Sequence, residues 1–323
     1  MQTETVTIIG LDRISASIGL GLQANDLGLT IVGSDQDSSV GEQAKQLGAV
    51  NKLVGNPVSA ATAADILILN VSLAEQEAML EAVAGEIRDH VLIIDLANLK
   101  SPGLKWAKKY IQKGHYVGAS PVLAANSLLD GRFGVEAARS DLFKQSVFCI
   151  MPSANADPKA VETAVNLGRI LGATPFFLDP MEYDSLVLGV ETTPGLLAAA
   201  LFRAVTKSTG WRDMLRFAGL QFSLSTASLD SPDLVELALH DKEASLRWLD
   251  AVMAELEDIR RLVADGDLER TALIFQELSY ERRRWQFERQ NNDWTQVESP
   301  DLEGMSFTRQ LFGFGPKKKD KKK

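Results

Sequence analysis

The sequence contains few cysteines and histidines, and its cysteine count excludes one class of protein. Its 323 residues include one cysteine, Cys149, and three histidines. A single cysteine cannot form an intrachain disulfide, which excludes a disulfide-stapled secreted fold and suits a reducing cytoplasm. Cys149 lies in the apolar run 147–151, so we expect it to be a core residue. We predict no metal site.

The chain also lacks an excess of basic residues and any long apolar run. Its formal net charge is −9 at pH 7, although its last seven residues read KKKDKKK. An acidic body argues against a broad nucleic-acid surface. No apolar run approaches about 18 uninterrupted residues, and the N-terminal MQTET does not resemble a signal segment. We therefore predict a cytoplasmic protein without nucleic-acid or membrane partners, and a disordered lysine tail.

Strand-like and helical segments alternate through the first half of the chain. Strand-like runs lie at 5–9, 29–33, 66–71, 91–95, 115–118 and 146–151. Helical stretches lie between most of them, at about 14–26, 39–48, 74–88 and 101–112. This alternation predicts an α/β fold with a doubly wound parallel sheet. Several strand-like runs are continuously apolar, as expected when helices cover both faces of the sheet.

The alternation ends after Asp179-Pro180, and the following chain is nearly all helical. Helices are predicted at 182–207 with a break at Pro194, at 211–227, at 242–264 and from Asp267 to about residue 290. We therefore predict a Rossmann-type domain over residues 1–179 and an all-α dimerisation domain over residues 180–290. Residues 291–323 are predicted to form a C-terminal extension.

The stretch from Val6 to Leu22, VTIIGLDRISASIGLGL, has the strand–turn–helix order that opens a dinucleotide-binding unit. In the pattern G-x-G-x-x-G the first glycine makes the turn, the second admits the pyrophosphate and the third allows close helix packing. Gly10 keeps the first position, whereas Asp12 and Ser15 occupy the other two. The candidate cofactor-binding residues are Gly10, Asp12, Arg13, Ile14, Ser15, Asp35, Val71 and Ser72.

Asp12 puts a negative charge where a phosphate should approach. Two like charges about 4 Å apart at an effective dielectric constant near 20 repel by about 4 kcal/mol, roughly a thousandfold in affinity. The carboxylate could instead face solvent, or Arg13 could offset it. NAD or NADP is therefore a possible cofactor. Asp35 at the end of the second strand favours NAD by accepting from a ribose 2′-hydroxyl, although it could also serve only as a strand-end cap.

Four further segments carry a family resemblance. They are DLANLK at 95–100, VGASPVLA at 117–124, GVEAARSDLF at 134–143 and LGATPFFLDPMEYD at 171–184. In this order the sequence resembles the prephenate/arogenate dehydrogenase family of tyrosine biosynthesis over about residues 5–290. The resemblance implies a Rossmann domain followed by a helical domain that interlocks two subunits as a homodimer. It also implies a small-molecule substrate and NAD(P)-dependent oxidative decarboxylation of prephenate or arogenate.

The sequence departs from this family at its functional positions. Ser120 stands at the position of the family's catalytic histidine, and Asn98 replaces a serine of the family motif DVGSVK. Both histidines of the helical motif SHLPHL are replaced in 191–196, and both substrate-binding arginines are missing from 218–228. The resemblance leaves Ser120 and Asn98 as catalytic-position residues. It implies that Thr192, Ser223 and Thr226 are the candidate substrate-binding residues.

Three functional interpretations stay open at this point. Loss of a positioned acid–base group costs about 10²–10⁴ in rate, so the first, a working dehydrogenase, requires a rearranged site. In the second, catalysis has been reduced or lost and the protein acts as a binding or regulatory subunit. In the third, the chain is an enzyme for a different, less acidic substrate, bound by neutral polar side chains.

Overall fold

The computed structural model describes residues 4–293, except residues 129, 131 and 232. Within these residues the strands are β1 (Thr5–Ile9), β2 (Thr30–Ser34), β3 (Lys52–Leu53), β4 (Ile66–Leu69), β5 (Leu92–Asp95), β6 (His115–Pro121), β7 (Val147–Pro152) and β8 (Thr174–Phe177). They form one sheet in the order β3-β2-β1-β4-β5-β6-β7-β8. This order confirms the predicted doubly wound α/β fold.

One pair of strands departs from the predicted parallel arrangement. β6 and β7 run antiparallel, with Ser120 opposite Cys149, whereas the other neighbouring strands are parallel. The hydrophobic pattern of a strand is the same in both directions, so the sequence could not reveal this reversal.

Helices cover both faces of the sheet. They are α1 (Arg13–Ala24), α2 (Ser38–Gln46), α3 (Pro57–Ala61), α4 (Leu73–Val83), α5 (Ser101–Tyr110) and α6 (Pro158–Ile170). Ile8 and Ile68 pack in the cluster that contains Ile18 of α1, whereas Ile9 and Leu67 pack in the cluster that contains Leu80 of α4. Burial on both faces explains why these strands read as continuous apolar runs. β3 and α3 were not predicted, because two and five residues are too short to show a period.

A helical segment follows the sheet. It contains α7 (Pro180–Val187), α8 (Thr193–Thr206), α9 (Trp211–Phe217), α10 (Leu220–Thr226), α11 (Leu234–His240), α12 (Lys242–Asp265) and α13 (Leu268–Asn291). The predicted break at Pro194 is wrong by a few residues. A π-helical turn, Leu188–Thr192, joins α7 to α8, and Pro194 lies in the first turn of α8, where its missing N–H leaves no bond unmade. The helix predicted at 211–227 is divided at Ala218 and Gly219.

The chain divides into two compact units between Glu255 and Leu256, within α12. The first contains the sheet and α1–α11. The second contains the end of α12 and all of α13, whose first turn is capped by Asp267 through the N–H of Arg270 at 2.9 Å. The predicted boundary at residue 179 coincides with the N-cap of α7 and stays a prediction. Most of the predicted extension at 291–323, including its lysine tail, lies outside the described residues.

One helical run, Pro180–Thr206, is 27 residues long and apolar enough by length and composition to cross a membrane. Polar and charged residues interrupt this run, so it contains no uninterrupted apolar stretch of the length sought in the sequence. A single such helix is weak support for a membrane span, because core helices of soluble proteins have the same properties. Of its most apolar window, 28% is buried, so much of its apolar surface faces away from the rest of the described chain.

Candidate functional site

A cleft opens at the carboxyl ends of β1 and β4. β1 has β2 on one side and β4 on the other, which makes this the topological switch point where open α/β sheets bind ligands. The turn chamber, of about 300 Å³, is lined by Ile9, Gly10, Leu11, Asp12, Ser34, Asp35, Gln36, Gly55, Pro57, Asn70, Val71, Ser72, Glu75 and Met79. The Ser120 chamber, of about 310 Å³, is lined by Asp12, Ile14, Asn70, Val71, Ser72, Leu96, Ala97, Asn98, Ser120, Pro121 and Asp233. The residues that line both chambers are Asp12, Asn70, Val71 and Ser72.

Gly10 makes the turn that starts the cleft. Its φ is +84°, in the left-handed region, and a Cβ there would lie 1.9 Å from the carbonyl oxygen of Asn70. Its N–H donates to Ser34 O at 2.9 Å, which holds the turn against the end of β2. A glycine is therefore required here both for the backbone conformation and for the close approach of the two strand ends.

Asp12 and Ser15 form a reciprocal cap on α1. Asp12 has an extended backbone (φ −141°), which any residue can adopt. Its carboxylate accepts from the N–H of Ser15 at 2.8 Å, and the N–H of Asp12 donates to the Ser15 hydroxyl at 3.0 Å. The protein thus supplies its own anion to the N-terminus of the helix that usually receives a phosphate.

Arg13 is engaged away from Asp12. Its guanidinium forms an ion pair with the carboxylate of Asp130, and it also donates to Arg132 O at 2.7 Å. The hydrogen bond from Arg13 is the main reason that the pKa of Asp130 lies below its ordinary value. Arg13 therefore ties the start of α1 to the segment after β6, and its charge is already balanced by Asp130.

Asp35 stands at the mouth of the turn chamber, directly after β2. Its carboxylate accepts from the N–H of Leu11 at 2.6 Å and from the N–H of Asp37 at 2.8 Å. These bonds fix the carboxylate beside the Gly10 turn, where an acidic residue can accept from ribose hydroxyls. Asp35 is therefore both a local cap and an available acceptor.

Glu75, at the start of α4, adds a second carboxylate to the turn chamber. Its oxygens accept from the Ser72 hydroxyl at 2.7 Å and from the Gln36 amide at 3.0 Å. These two donors, that of Ser72 first, hold the pKa of Glu75 below its ordinary value. The chamber wall next to Ser72 is consequently negative.

The Ser120 chamber brings together the two residues at the predicted catalytic positions. Ser120 lies near the end of β6, and Asn98 lies in the loop between β5 and α5. The Ser120 side chain is hydrogen-bonded to the hydroxyl of Tyr183 on α7, and burial is the main cause of the raised pKa of Tyr183. Hydroxyl and amide groups from Ser72, Ser120, Asn70 and Asn98 line the chamber, so it offers hydrogen bonds to a ligand.

Lys100 holds together the loop that carries Asn98 and the strand that carries Ser120. Its side chain is fully buried, and Nζ donates to Ala119 O at 2.8 Å, to Asp95 O at 3.2 Å and to Ala97 O. Burial lowers the pKa of Lys100, while the nearby carboxylates of Asp95 and Asp184 oppose that effect. The bonds join the Asn98 loop to the strand that carries Ser120, which fixes the separation of the two residues.

Asp233 is a site residue that the sequence did not reveal. It immediately precedes α11 but makes no side-chain cap there. Its carboxylate instead accepts long hydrogen bonds from the N–H of Leu73 at 3.4 Å and from the Asn98 amide at 3.5 Å. Burial, with smaller contributions from Glu236 and Glu75, raises its pKa. No local pattern could have placed it here, since Leu73 and Asn98 are distant in the chain.

The sequence comparisons identify the family. Residues 18–175 match the sequence profile of the family described as "Prephenate dehydrogenase, nucleotide-binding domain". The prephenate dehydrogenase of Bacillus subtilis is 26% identical over 271 residues, which cover 82% of this chain and 72% of that protein. These comparisons support membership of the prephenate/arogenate dehydrogenase family.

Solved structures of the family show the same fold. The Aquifex aeolicus prephenate dehydrogenase in complex with hydroxyphenyl propionate and NAD+ has a TM-score of 0.75 and 18% identity, covering 88% of this chain and 99% of that chain. Synechocystis arogenate dehydrogenase has a TM-score of 0.66 and 18% identity, covering 87% and 99%. These likenesses confirm a Rossmann domain followed by a helical region.

The histidine and arginine side chains that the family resemblance implies are not found among the described residues that line the Ser120 chamber. Among the described residues, the lining of the Ser120 chamber contains no Arg, Lys or His. Of the histidines, His90 contacts Asp65 at 3.1 Å, His115 begins β6 and His240 ends α11. The ionisable side chains that do line the chamber are Asp12 and Asp233.

The substrate-side candidates lie apart from the described lining of this chamber. Thr192 is buried in the π-helical turn, and its hydroxyl has no hydrogen-bond partner among the described residues. Ser223 is exposed on α10, and the Thr226 hydroxyl donates to Phe222 O within the same helix at 2.8 Å. Their assignment to a substrate site therefore stays a prediction.

A dinucleotide fits one end of the cleft and not its centre. The Gly10 turn and Asp35 suit a ribose, and the apolar side chains of Pro57, Val71 and Met79 line the space beside it. At the diphosphate position, however, the Asp12 carboxylate already accepts from α1. The residues present thus fit a nucleoside better than a nucleoside diphosphate.

Proposed function

We propose that this protein is a member of the prephenate/arogenate dehydrogenase family in which oxidative decarboxylation of prephenate or arogenate is reduced or lost. One observation carries the proposal: Asp233 and Asp12 are the charged residues that line the Ser120 chamber in the described chain. A substrate dicarboxylate would meet like charges there. It would also lack the charge-assisted bonds that contribute about 1.5–3 kcal/mol each.

The proposed role is that of a binding or regulatory subunit. The fold that shapes the cleft is intact, and its two chambers are open rather than filled by side chains. Such a protein retains ligand recognition without turnover. For any dinucleotide that enters, Asp35 favours NAD over NADP because its carboxylate repels a 2′-phosphate.

The test is an absorbance assay at 340 nm with prephenate and arogenate, each with NAD+ and NADP+. The Bacillus subtilis prephenate dehydrogenase serves as the positive control. We expect no turnover from the chain described here, at enzyme concentrations where the control is readily measured. Formation of NADH or NADPH at about 1 per second or faster, an ordinary enzymatic rate, would disprove the proposal.

A second candidate function is catalysis on a less acidic substrate. Asp233 favours it, because a nearly buried carboxyl group with a raised pKa in a cleft is suited to general acid–base chemistry. Ser120 and Asn98 would then orient a neutral ligand through hydrogen bonds. A screen of neutral and cationic alcohols for NAD+-dependent oxidation, repeated with Asp233→Asn, separates this reading from the first.

We also propose that the protein is a cytoplasmic homodimer formed through the helical segment. Exposed apolar side chains on that segment support it, among them Leu186 and Val190, which are 50% and 68% exposed. Sedimentation equilibrium should give twice the chain mass. Leu186→Glu with Val190→Glu should yield monomers, whereas Leu27→Glu, at a 47% exposed position in the loop after α1, should leave the dimer intact. A monomeric unsubstituted protein would contradict this proposal.

A further inference from the structure

We propose that the turn chamber binds an unphosphorylated nucleoside whose 5′ substituent is neutral or positively charged, and that Asp12 sets this specificity. The inference goes beyond the proposed function, because a protein that has lost turnover could still bind NAD+ in the ordinary way. It concerns the cofactor half of the cleft rather than the Ser120 chamber.

The Asp12 carboxylate lies at the N-terminus of α1. It accepts from the N–H of Ser15 at 2.8 Å, within the first turn of α1. That turn presents backbone N–H groups and a partial positive charge, which is why Rossmann folds place a pyrophosphate there. In this chain the position is taken by a covalently attached anion. A phosphate would have to displace Asp12 or lie against it.

No cationic side chain among the described residues that line the turn chamber offsets the charge of Asp12. The ionisable side chains among the described residues that line the turn chamber are Asp12, Asp35 and Glu75, all acids. Arg13, which follows Asp12, is held by the Asp130 carboxylate and by Arg132 O. The electrostatic character of the chamber therefore disfavours anions and favours cations.

The turn chamber retains features that suit a nucleoside. Residues 18–175 match a nucleotide-binding domain. Before them, Gly10 makes the tight turn that the first glycine of a dinucleotide-binding unit supplies, with a positive φ. Asp35 is fixed by Leu11 and Asp37 with a carboxylate beside the turn, suited to the two hydroxyls of a ribose. Pro57 and Met79 supply apolar surface for a base. The volume of about 300 Å³ is at the lower end of ligand pockets.

These features together select a nucleoside by its 5′ end. Ribose hydroxyls on Asp35 leave the 5′ carbon directed along the cleft towards Asp12, since the same cleft carries the diphosphate in nucleotide-binding relatives of this fold. A 5′-phosphate would then approach the carboxylate. A hydroxyl could donate a hydrogen bond to it, and a 5′-ammonium group could form an ion pair.

The test is isothermal titration of the full-length protein with probes that differ only at the 5′ position. The probes are adenosine, 5′-amino-5′-deoxyadenosine and AMP, followed by NAD+. We expect the amino compound to bind most tightly and adenosine next. AMP and NAD+ should bind on the order of tenfold to a thousandfold more weakly than adenosine, the range set by one like-charge contact.

Asp12→Asn isolates the charge. Asparagine is as good an N-cap as aspartate, so α1 keeps its cap while the negative charge is removed. The AMP and NAD+ affinities should rise by at least about tenfold, the adenosine affinity should stay within about twofold, and the preference for the amino compound should disappear. Asp157→Asn makes the same change at the N-cap of α6, outside the described lining of the cleft, and should alter none of these ratios.

Thermal melts of each variant establish that it is folded before titration. The proposal is overturned if AMP or NAD+ binds the unsubstituted protein as tightly as adenosine, or if Asp12→Asn leaves the ratio of their affinities unchanged. It is also overturned if adenosine binds neither protein. Tight NAD+ binding without turnover would overturn this inference alone, whereas NADH formation from prephenate would overturn the proposed loss of activity as well.

Discussion

The backbone N–H of Ser15 donates to the carboxylate of Asp12 at 2.8 Å, and the hydroxyl of Ser15 accepts in return from the backbone N–H of Asp12 at 3.0 Å. The two residues that replace the second and third glycines of the nucleotide-binding turn thus satisfy each other. Their substitutions make sense as a pair, because each supplies the partner that the other needs. Glycine at position 12 would remove the acceptor for the N–H of Ser15, and glycine at position 15 would remove the acceptor for the N–H of Asp12.

The first prediction concerns this cap. Asp12→Ala should lower the free energy of unfolding by about 1 kcal/mol, within the range of about 0.5–2 kcal/mol for a lost N-cap. Asp12→Asn should change it by no more than a few tenths, because the amide oxygen still accepts from Ser15. Urea denaturation followed by circular dichroism measures both. Equal losses in the two variants would show that charge, rather than capping, stabilises the helix.

The second prediction concerns the Gly10 turn. Gly10→Ala should cost more than about 3 kcal/mol, because a left-handed backbone is itself strained by about 1–3 kcal/mol and the new Cβ also meets a carbonyl oxygen. Gly28 is the matched control, since its φ is +66° and no atom lies within 4 Å of a Cβ built there. Gly28→Ala should cost only about 1–2 kcal/mol. Similar losses at the two positions in urea denaturation would contradict the argued steric conflict with Asn70.

The third prediction concerns Asp233 and pH. Burial raises its pKa above the ordinary value of 3.8, so the folded protein holds this proton more tightly than the unfolded chain does. Ionisation of Asp233 therefore costs stability above the raised pKa, and the cost vanishes as the pH falls below the ordinary value. Asp233→Asn should therefore raise the free energy of unfolding at pH 8 relative to that of the unsubstituted protein.

The pH series supplies the control for that prediction. The advantage of Asp233→Asn should shrink steadily in urea denaturation as the pH is lowered from 8 towards 4. Asparagine can still accept from the N–H of Leu73, so the folded geometry is preserved. A constant difference across the series would mean that something other than ionisation distinguishes the two proteins.

The fourth prediction concerns the buried lysine. Lys100→Met removes the donor to the carbonyls of Asp95, Ala97 and Ala119 and leaves the buried Asp95 carboxyl without its opposing charge. The cost should be about 3–5 kcal/mol. Asp95→Asn should lower the free energy of unfolding less in the Lys100→Met variant than in the unsubstituted protein, because the two groups interact. Lys109→Met, at an exposed lysine of α5 that pairs with Glu77 of α4, should leave the stability nearly unchanged. If the losses of stability from Lys100→Met and Asp95→Asn simply add in the double variant, the two groups are not coupled.

Much of the fold could be predicted from the sequence because it is encoded by local repetition. β1 is predicted at residues 5–9, where it lies, and most other long strands begin or end within a few residues of their predicted positions. β3 and α3 escaped prediction because they are too short for a period. The antiparallel direction of β7 escaped because strand direction is set by the connection that precedes the strand, and not by its residues.

Some residues of the candidate site could be predicted from the sequence, but the contacts between them could not. The sequence shows that Asp12 places a negative charge at a glycine position. It does not show the direction of the carboxylate, which is set by the backbone N–H of Ser15 at 2.8 Å and by its hydroxyl at 3.1 Å. Asp233 could not be found, because its contacts with Leu73 and Asn98 join segments that only the fold brings together. The sequence places Arg13 next to Asp12, but in the structure the Arg13 guanidinium is paired with Asp130.

The helical segment supplies end caps for helices of the sheet region. Asp184 of α7 accepts from the N–H groups of Lys100 and Ser101 at the start of α5, at 2.6 and 2.8 Å, and Asp233 reaches the first N–H of α4. A chain cut after residue 179 would leave both helix starts unsatisfied and the Asn98 loop unsupported. The start of the helical segment is therefore part of the structure that holds the cleft, because Asp184 and Asp233 fix the helices and the loop that border it.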